Sequence, residues 1–221
     1  MIIQEIWFVM LGLLLAGYAV LDGFDLGVGI LHPFSRTDHD RRLFLNSIGP
    51  IWDGNEVWLI VFGGALFAAF PDAYATAFSG FYLAFMLLLF ALIFRAVSIE
   101  FRSKSHMPLW RAFWDAGFFL SSTAASFVYG LAAGNALLGV PLNGKGEYIG
   151  GLRNLLSPYA ILCGVIVVAL FAMHGAIFLF LKLPEGDARA LVRRLMWRSW
   201  IVFIFLYIAG TGYTLFTVPR A

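Results

Sequence analysis

The chain has 221 residues, of which 61% are hydrophobic and only 13% charged, with a formal net charge of +2. Soluble domains run near half apolar and a quarter charged, so a mean hydropathy of +0.85 excludes a water-soluble globule and makes lipid the solvent for most of the chain. The lone cysteine, Cys163, excludes an internal disulfide and reads as a small hydrophobe inside an apolar run.

A hydrocarbon core of about 30 Å takes about 20 helical residues. Six segments meet that length, at 6–31, 53–70, 74–95, 112–136, 157–181 and 199–217. The first is too long for a signal-peptide core and has no basic residue before it, so it reads as a retained span. The first loop carries Arg36, Arg41 and Arg42. The third carries Arg102 and Lys104, with Arg95 and Arg111 at its edges. The fifth carries Lys182, Arg189, Arg193, Arg194 and Arg198. These odd-numbered loops hold 12 of the 15 basic residues; the other three are Lys145, Arg153 and Arg220. Basic loops stay in the cytoplasm, which puts both termini in the periplasm. The expected fold is all-α, a polytopic transmembrane bundle of six spans with a periplasmic N-terminus. Glycines in the first two spans suit close helix packing, and the seven tryptophans near span ends suit an interfacial belt.

Ionisable residues inside such spans are the candidates for chemistry. Asp22 and Asp25 lie three apart in Leu21-Asp22-Gly23-Phe24-Asp25, on one helical face. Two carboxylates so close repel, and one of them holding a proton relieves the repulsion; an interhelical ion pair with an arginine is the competing reading. Asp53 and Glu56 repeat the spacing at the start of the second span. There an acid also caps a helix and meets its dipole, yet Asp53, Asn55 and Glu56 between Trp52 and Trp58 also read as a polar pocket. Glu100 and Lys104 have the favourable spacing for a surface ion pair, and Asp115 has Arg111 one turn before it. All six acids, Asp22, Asp25, Asp53, Glu56, Glu100 and Asp115, fall toward the cytoplasmic side, as in proton relays. His32, His39 and His106 fall in loops and are expected to be exposed. His174, inside the fifth span, is a weak candidate for a metal or haem ligand, and otherwise a hydrogen-bonded packing residue. No zinc spacing, phosphate loop or nucleic-acid surface is present.

Two stretches are distinctive: Gly17-Tyr18-Ala19-Val20-Leu21-Asp22-Gly23-Phe24-Asp25-Leu26-Gly27-Val28-Gly29, and the run from Asn46 through Trp52-Asp53-Gly54-Asn55-Glu56-Val57-Trp58 to Pro71. With Phe94-Arg95, Phe101-Arg102-Ser103-Lys104 and Trp110-Arg111-x-x-Trp114-Asp115, the chain resembles subunit II of cytochrome bd-type quinol oxidases over residues 5–180. The resemblance implies a bacterial inner-membrane, respiratory-chain subunit that takes part in quinol oxidation coupled to O₂ reduction to water. It implies a haem-carrying subunit I as heterodimer partner, with haem b, haem d and the quinol site there and no firmly bound cofactor here. It leaves room for small single-span subunits and for a quinone or a lipid. It assigns a proton path to Asp53, Glu100 and Lys104. Asp25 and Asp22, in the first-span motif, are either structural or part of that route, and Glu56, from its position beside Asp53, is a further candidate. The family subunit has eight spans in two four-helix bundles, so this chain reads as shortened. Residues 1–136 would form the first bundle and 137–221 the start of a second. A secondary transporter or cation/proton antiporter using Asp22 and Asp25, and a purely structural scaffold, are the alternatives; binding acids off the bilayer midplane count against transport.

Overall fold

The computed structural model describes residues 2–144 and 148–218; Lys145 and Arg220 of the basic count lie outside the described residues. The helices are α1 (Ile2–Leu31), α2 (Asp38–Ile48), α3 (Trp52–Ala69), α4 (Pro71–Gly80), α5 (Tyr82–Phe101), α6 (Pro108–Leu138), α7 (Leu152–Leu155), α8 (Pro158–Lys182) and α9 (Asp187–Thr217). Proline in the first turn opens α4, α6 and α8, where its missing N–H costs nothing. One isolated antiparallel bridge, Leu142–Tyr148, is the only extended pairing among the described residues.

Five helices are long and apolar enough to cross a membrane: α1, α5, α6, α8 and α9. The expected second span is α3, with 18 residues, or ~27 Å of helix. Asp53, Asn55 and Glu56 in its first turns dilute its apolar character, so by length and composition six spans become five among the described residues. The expected third span is broken at Phe81 into α4 and α5. Beyond Arg95, α5 continues to Phe101. The first loop holds α2, whose N-terminus is closed by a reciprocal Thr37–Asp40 capping box and whose Phe44, Leu45 and Ile48 are buried. Most of the fifth loop is helix: α9 starts at Asp187 instead of 199. Its first three turns are basic, and hydropathy alone does not see a helix there.

Packing follows the small residues. α1, α6 and α8 contact one another; α3 lies on α1, α5 on α6 and α9 on α8. At the α1–α8 crossing the backbones nearly touch. A Cβ on Gly27 would overlap the Phe171 carbonyl oxygen and sit 2.8 Å from the Gly175 nitrogen, and a Cβ on Gly175 would meet the Val28 nitrogen at 2.6 Å. Gly130 is held as tightly against Cys163 and Gly164 on the α6–α8 side. The basic loops and α2 gather at one end of the bundle, called the basic end below.

Gly27→Val is expected to lower the stability of the purified full chain by about 3 kcal/mol, because backbone on the facing helix cannot yield as a side chain would. Gly12→Ala, whose added Cβ meets nothing within 4 Å, should change it by less than about 0.5 kcal/mol. Thermal unfolding in detergent compares the two.

Candidate functional site

Four helices bring polar groups to one point inside the apolar bundle. Arg95 of α5 is fully buried. Its Nη2 donates to Asp22 Oδ1 of α1 at 2.7 Å and also to Glu56 Oε1 of α3. Tyr18, one turn before Asp22, donates to Asp22 Oδ2 at 2.7 Å. The Tyr18 hydroxyl also lies 2.5 Å from that of Tyr129 on α6. Asn55 Nδ2 donates to Asp25 Oδ2 at 2.7 Å and to the Leu21 carbonyl at 3.2 Å. Asp22 and Asp25 are both fully buried. Three atoms of this node, Asp25 Oδ1, Arg95 Nε and Arg95 Nη1, are buried with no hydrogen-bond partner among the described residues. Buried polar atoms of this kind are the usual seats of internal water.

A second layer lies toward the basic end. His32 follows Asp22 by ten positions, ~15 Å along α1. Its Nε2 meets Asp115 Oδ1 of α6 at 2.6 Å. Asp115 also accepts from Arg41 Nη1 at 2.9 Å and from Arg102 Nε at 2.5 Å. Arg102 reaches on to Asp38 at 2.9 Å, and Arg111 and Arg42 donate to the same carboxylate at 3.0 and 2.9 Å. Burial acts to raise the Asp38 carboxyl, but the hydrogen bond from Arg102 and the nearby Arg111 and Arg42 outweigh it and hold the group below the usual carboxylate range. This layer ties α1, α2, α5 and α6 together. Buried Ser98, Ser122 and Ser126 lie between the two layers along α5 and α6, and Ser122 Oγ has no hydrogen-bond partner among the described residues.

The candidate residues divide. Asp22, Asp25 and Glu56 converge on Arg95 and Asn55. Asp53, Glu100 and Lys104 are exposed in the chain by itself. Three local expectations change. Glu100 and Lys104 form no ion pair among the described residues, because the helix tightens to a 3-10 turn at Arg102–Lys104 and the one-turn alignment is lost. Asp115 pairs with His32, Arg41 and Arg102 in place of Arg111. His32 is 1% exposed, drawn inward by Asp115 and the ring of Phe118. His174 Nε2 is 2.9 Å from the Val20 carbonyl and so donates there, and its ring packs on Phe24; these contacts suit the reading of a hydrogen-bonded packing residue. Among the described residues no three His, Cys, Asp or Glu side chains are grouped to hold a metal ion. The sequence reading passed over Tyr18 and Tyr129, placed Asn55 in a polar pocket without its partner Asp25, and left Arg95 at a loop edge. An arginine flanked by Phe94 and Ala96-Val97, and a tyrosine four positions before Asp22, were the available signals.

Residues 3–221 match the family model described as cytochrome bd terminal oxidase subunit II. Cytochrome bd-I ubiquinol oxidase subunit 2 of Escherichia coli K12 is 48% identical over 187 residues, covering 82% of this chain and 49% of the relative. Cytochrome bd ubiquinol oxidase subunit 2 of Bacillus subtilis is 37% identical over 194 residues, covering 87% and 57%. The chain thus spans about half the length of the curated relatives it matches. A solved structure of bd oxidase from Geobacillus thermodenitrificans shares the fold, with a TM-score of 0.74 at 20% identity over 99% of this chain and 66% of that one. With membrane-length helices and a family match over nearly its whole length, the chain belongs to the cytochrome bd terminal oxidase subunit II family of bacterial inner-membrane proteins.

Proposed function

We propose that the chain acts as subunit II of a respiratory quinol oxidase, supports a haem-bearing subunit I and supplies part of a proton-uptake path. The basic end faces the cytoplasm in this reading, as the distribution of arginines favours. Haem b, haem d and the quinol site belong to the partner. The redox step is theirs, and the residues here move or hold protons.

The observation that carries the reading is the charge balance at Arg95. Two carboxylates, Asp22 and Glu56, pair with one guanidinium, and Asp25, buried one turn on from Asp22, is held by Asn55 of the same node, so neutrality inside the membrane calls for two protons on the three acids. A charge left unpaired in hydrocarbon is costly, and protons are the charges that enter and leave such a site most readily. Asp53 lies one turn before Glu56 on α3, and Glu100 lies five positions after Arg95 on α5. Their exposure in the lone chain fits a path completed by side chains of subunit I. The antiporter alternative is disfavoured because both oxygens of Asp22 are already engaged, by Arg95 and Tyr18.

Two substitutions separate transport of protons from support of the fold. Asp53→Asn, in a complex that retains its visible haem spectrum, is expected to slow O₂ reduction and proton uptake at least about tenfold; unchanged rates would reduce Asp53 to a helix cap. Arg95→Met leaves Asp22 and Glu56 buried without their cation and should cost about 3–5 kcal/mol. The double variant Arg95→Met with Asp22→Asn should recover part of that loss, measured by thermal unfolding of the same complex.

A further inference from the structure

We propose that the basic end carries an anion site for a phosphate group, in a cavity of about 220 Å³ lined by Arg41, Arg102, Arg111, His106, Pro108 and Asp38. Among the described residues four guanidinium groups, those of Arg41, Arg42, Arg102 and Arg111, are joined by ion pairs to only two carboxylates, Asp38 and Asp115. The layer therefore keeps two positive charges in excess, with the histidines neutral. The excess sits on groups of different exposure: the side chains of Arg41 and Arg42 are 35% and 48% exposed, those of Arg111 and Arg102 17% and 1%. Arg102 Nη1 and Arg41 Nε are buried with no hydrogen-bond partner among the described residues. A planar guanidinium with one edge used and another idle is suited to a second, oxyanionic acceptor. Asp38, which lines the same cavity, has its carboxylate taken by Arg42, Arg102 and Arg111, so it neutralises part of this charge and leaves the rest.

The backbone adds to the field. α6, 31 residues long, begins at Pro108 on the wall of this cavity, and its N-cap residue Met107 supplies no side-chain acceptor to the first N–H groups. The positive end of that helix thus meets the same space. The cavity lies where α5 ends and α6 begins, at the ends of two membrane-length helices. That is the level of lipid headgroups, where basic residues meet anionic phosphate. A phosphodiester of an anionic lipid and free inorganic phosphate share the chemistry this site recognises. Neither needs the proton path, so the inference stands apart from the function proposed above.

The test uses the full chain, purified from membranes with whatever subunits accompany it and depleted of lipid. In one arm inorganic phosphate is titrated at constant ionic strength and the thermal midpoint followed. In the other, the protein is placed in phosphatidylcholine nanodiscs with or without phosphatidylglycerol. Saturable stabilisation by phosphate, shifted to about tenfold higher concentration by Arg41→Gln and Arg111→Gln and untouched by Lys182→Gln, is the expected result. Stabilisation by phosphatidylglycerol alone, with the same response to the variants, supports the site and assigns it to a lipid headgroup. Should Arg111→Gln fail to accumulate, Arg111→Lys keeps the charge without the fork and should still weaken binding. No stabilisation in either arm, or equal effects of the cavity variants and Lys182→Gln, would overturn the proposal.

Discussion

A guanidinium buried in a membrane bundle has to be answered by carboxylates, and much of this structure follows from how Arg95 is answered. The ion pairs to Asp22 and Glu56 join α5, which packs on α6, to α1 and to α3, which packs on α1. Tyr18 and Tyr129 then tie Asp22 to α6. Pairs of this kind gain little net stability, since desolvation offsets the Coulomb term, but losing one partner is costly. The node thus acts to fix register and orientation among helices whose apolar faces are poorly specific.

The close crossing of α1 and α8 at Gly27 and Gly175 works alongside it. Backbones that touch leave no slack, so the depth of Asp22 and Asp25 in the bundle is set from both sides. Toward the basic end the Asp38–Asp115 layer repeats the logic with the sign reversed, carrying more cations than acids. The two layers lie ~15 Å apart along α1, one short of positive charge and one rich in it. Polar atoms without a hydrogen-bond partner among the described residues occur in and between them, at Asp25, Arg95, Ser122, His32 and Arg102. Such a gradient favours positive charge at the inner layer and negative charge at the outer one.

Helix positions were legible in the sequence because length and hydropathy measure what lipid demands. The helices that escaped are those that lipid does not demand. α2 is amphipathic and short, and the start of α9 is basic. The acids were found because ionisable groups in apolar runs stand out. Their partners were not, since pairing depends on which helices are neighbours. Nothing local says that Arg95 turns inward to Asp22, or that Asp115 prefers Arg102 of the turn after α5 to Arg111 of its own helix. The same limit holds for His32, whose loop-like surroundings in sequence hide a position buried by Asp115 and Phe118. For Asp53, Glu100 and Lys104, exposed here, the role proposed above calls for neighbours from another chain.

The central claim is that the carboxylates around Arg95 outnumber its charge and hold protons. Infrared spectroscopy of the intact complex tests this directly, through the carbonyl stretch that a protonated carboxylic acid has and a carboxylate lacks. The account predicts such a band at neutral pH in the parent protein, reduced in Asp25→Asn and insensitive to Glu185→Gln at the exposed surface. A spectrum without that band, or one that Asp25→Asn leaves unchanged, would contradict it.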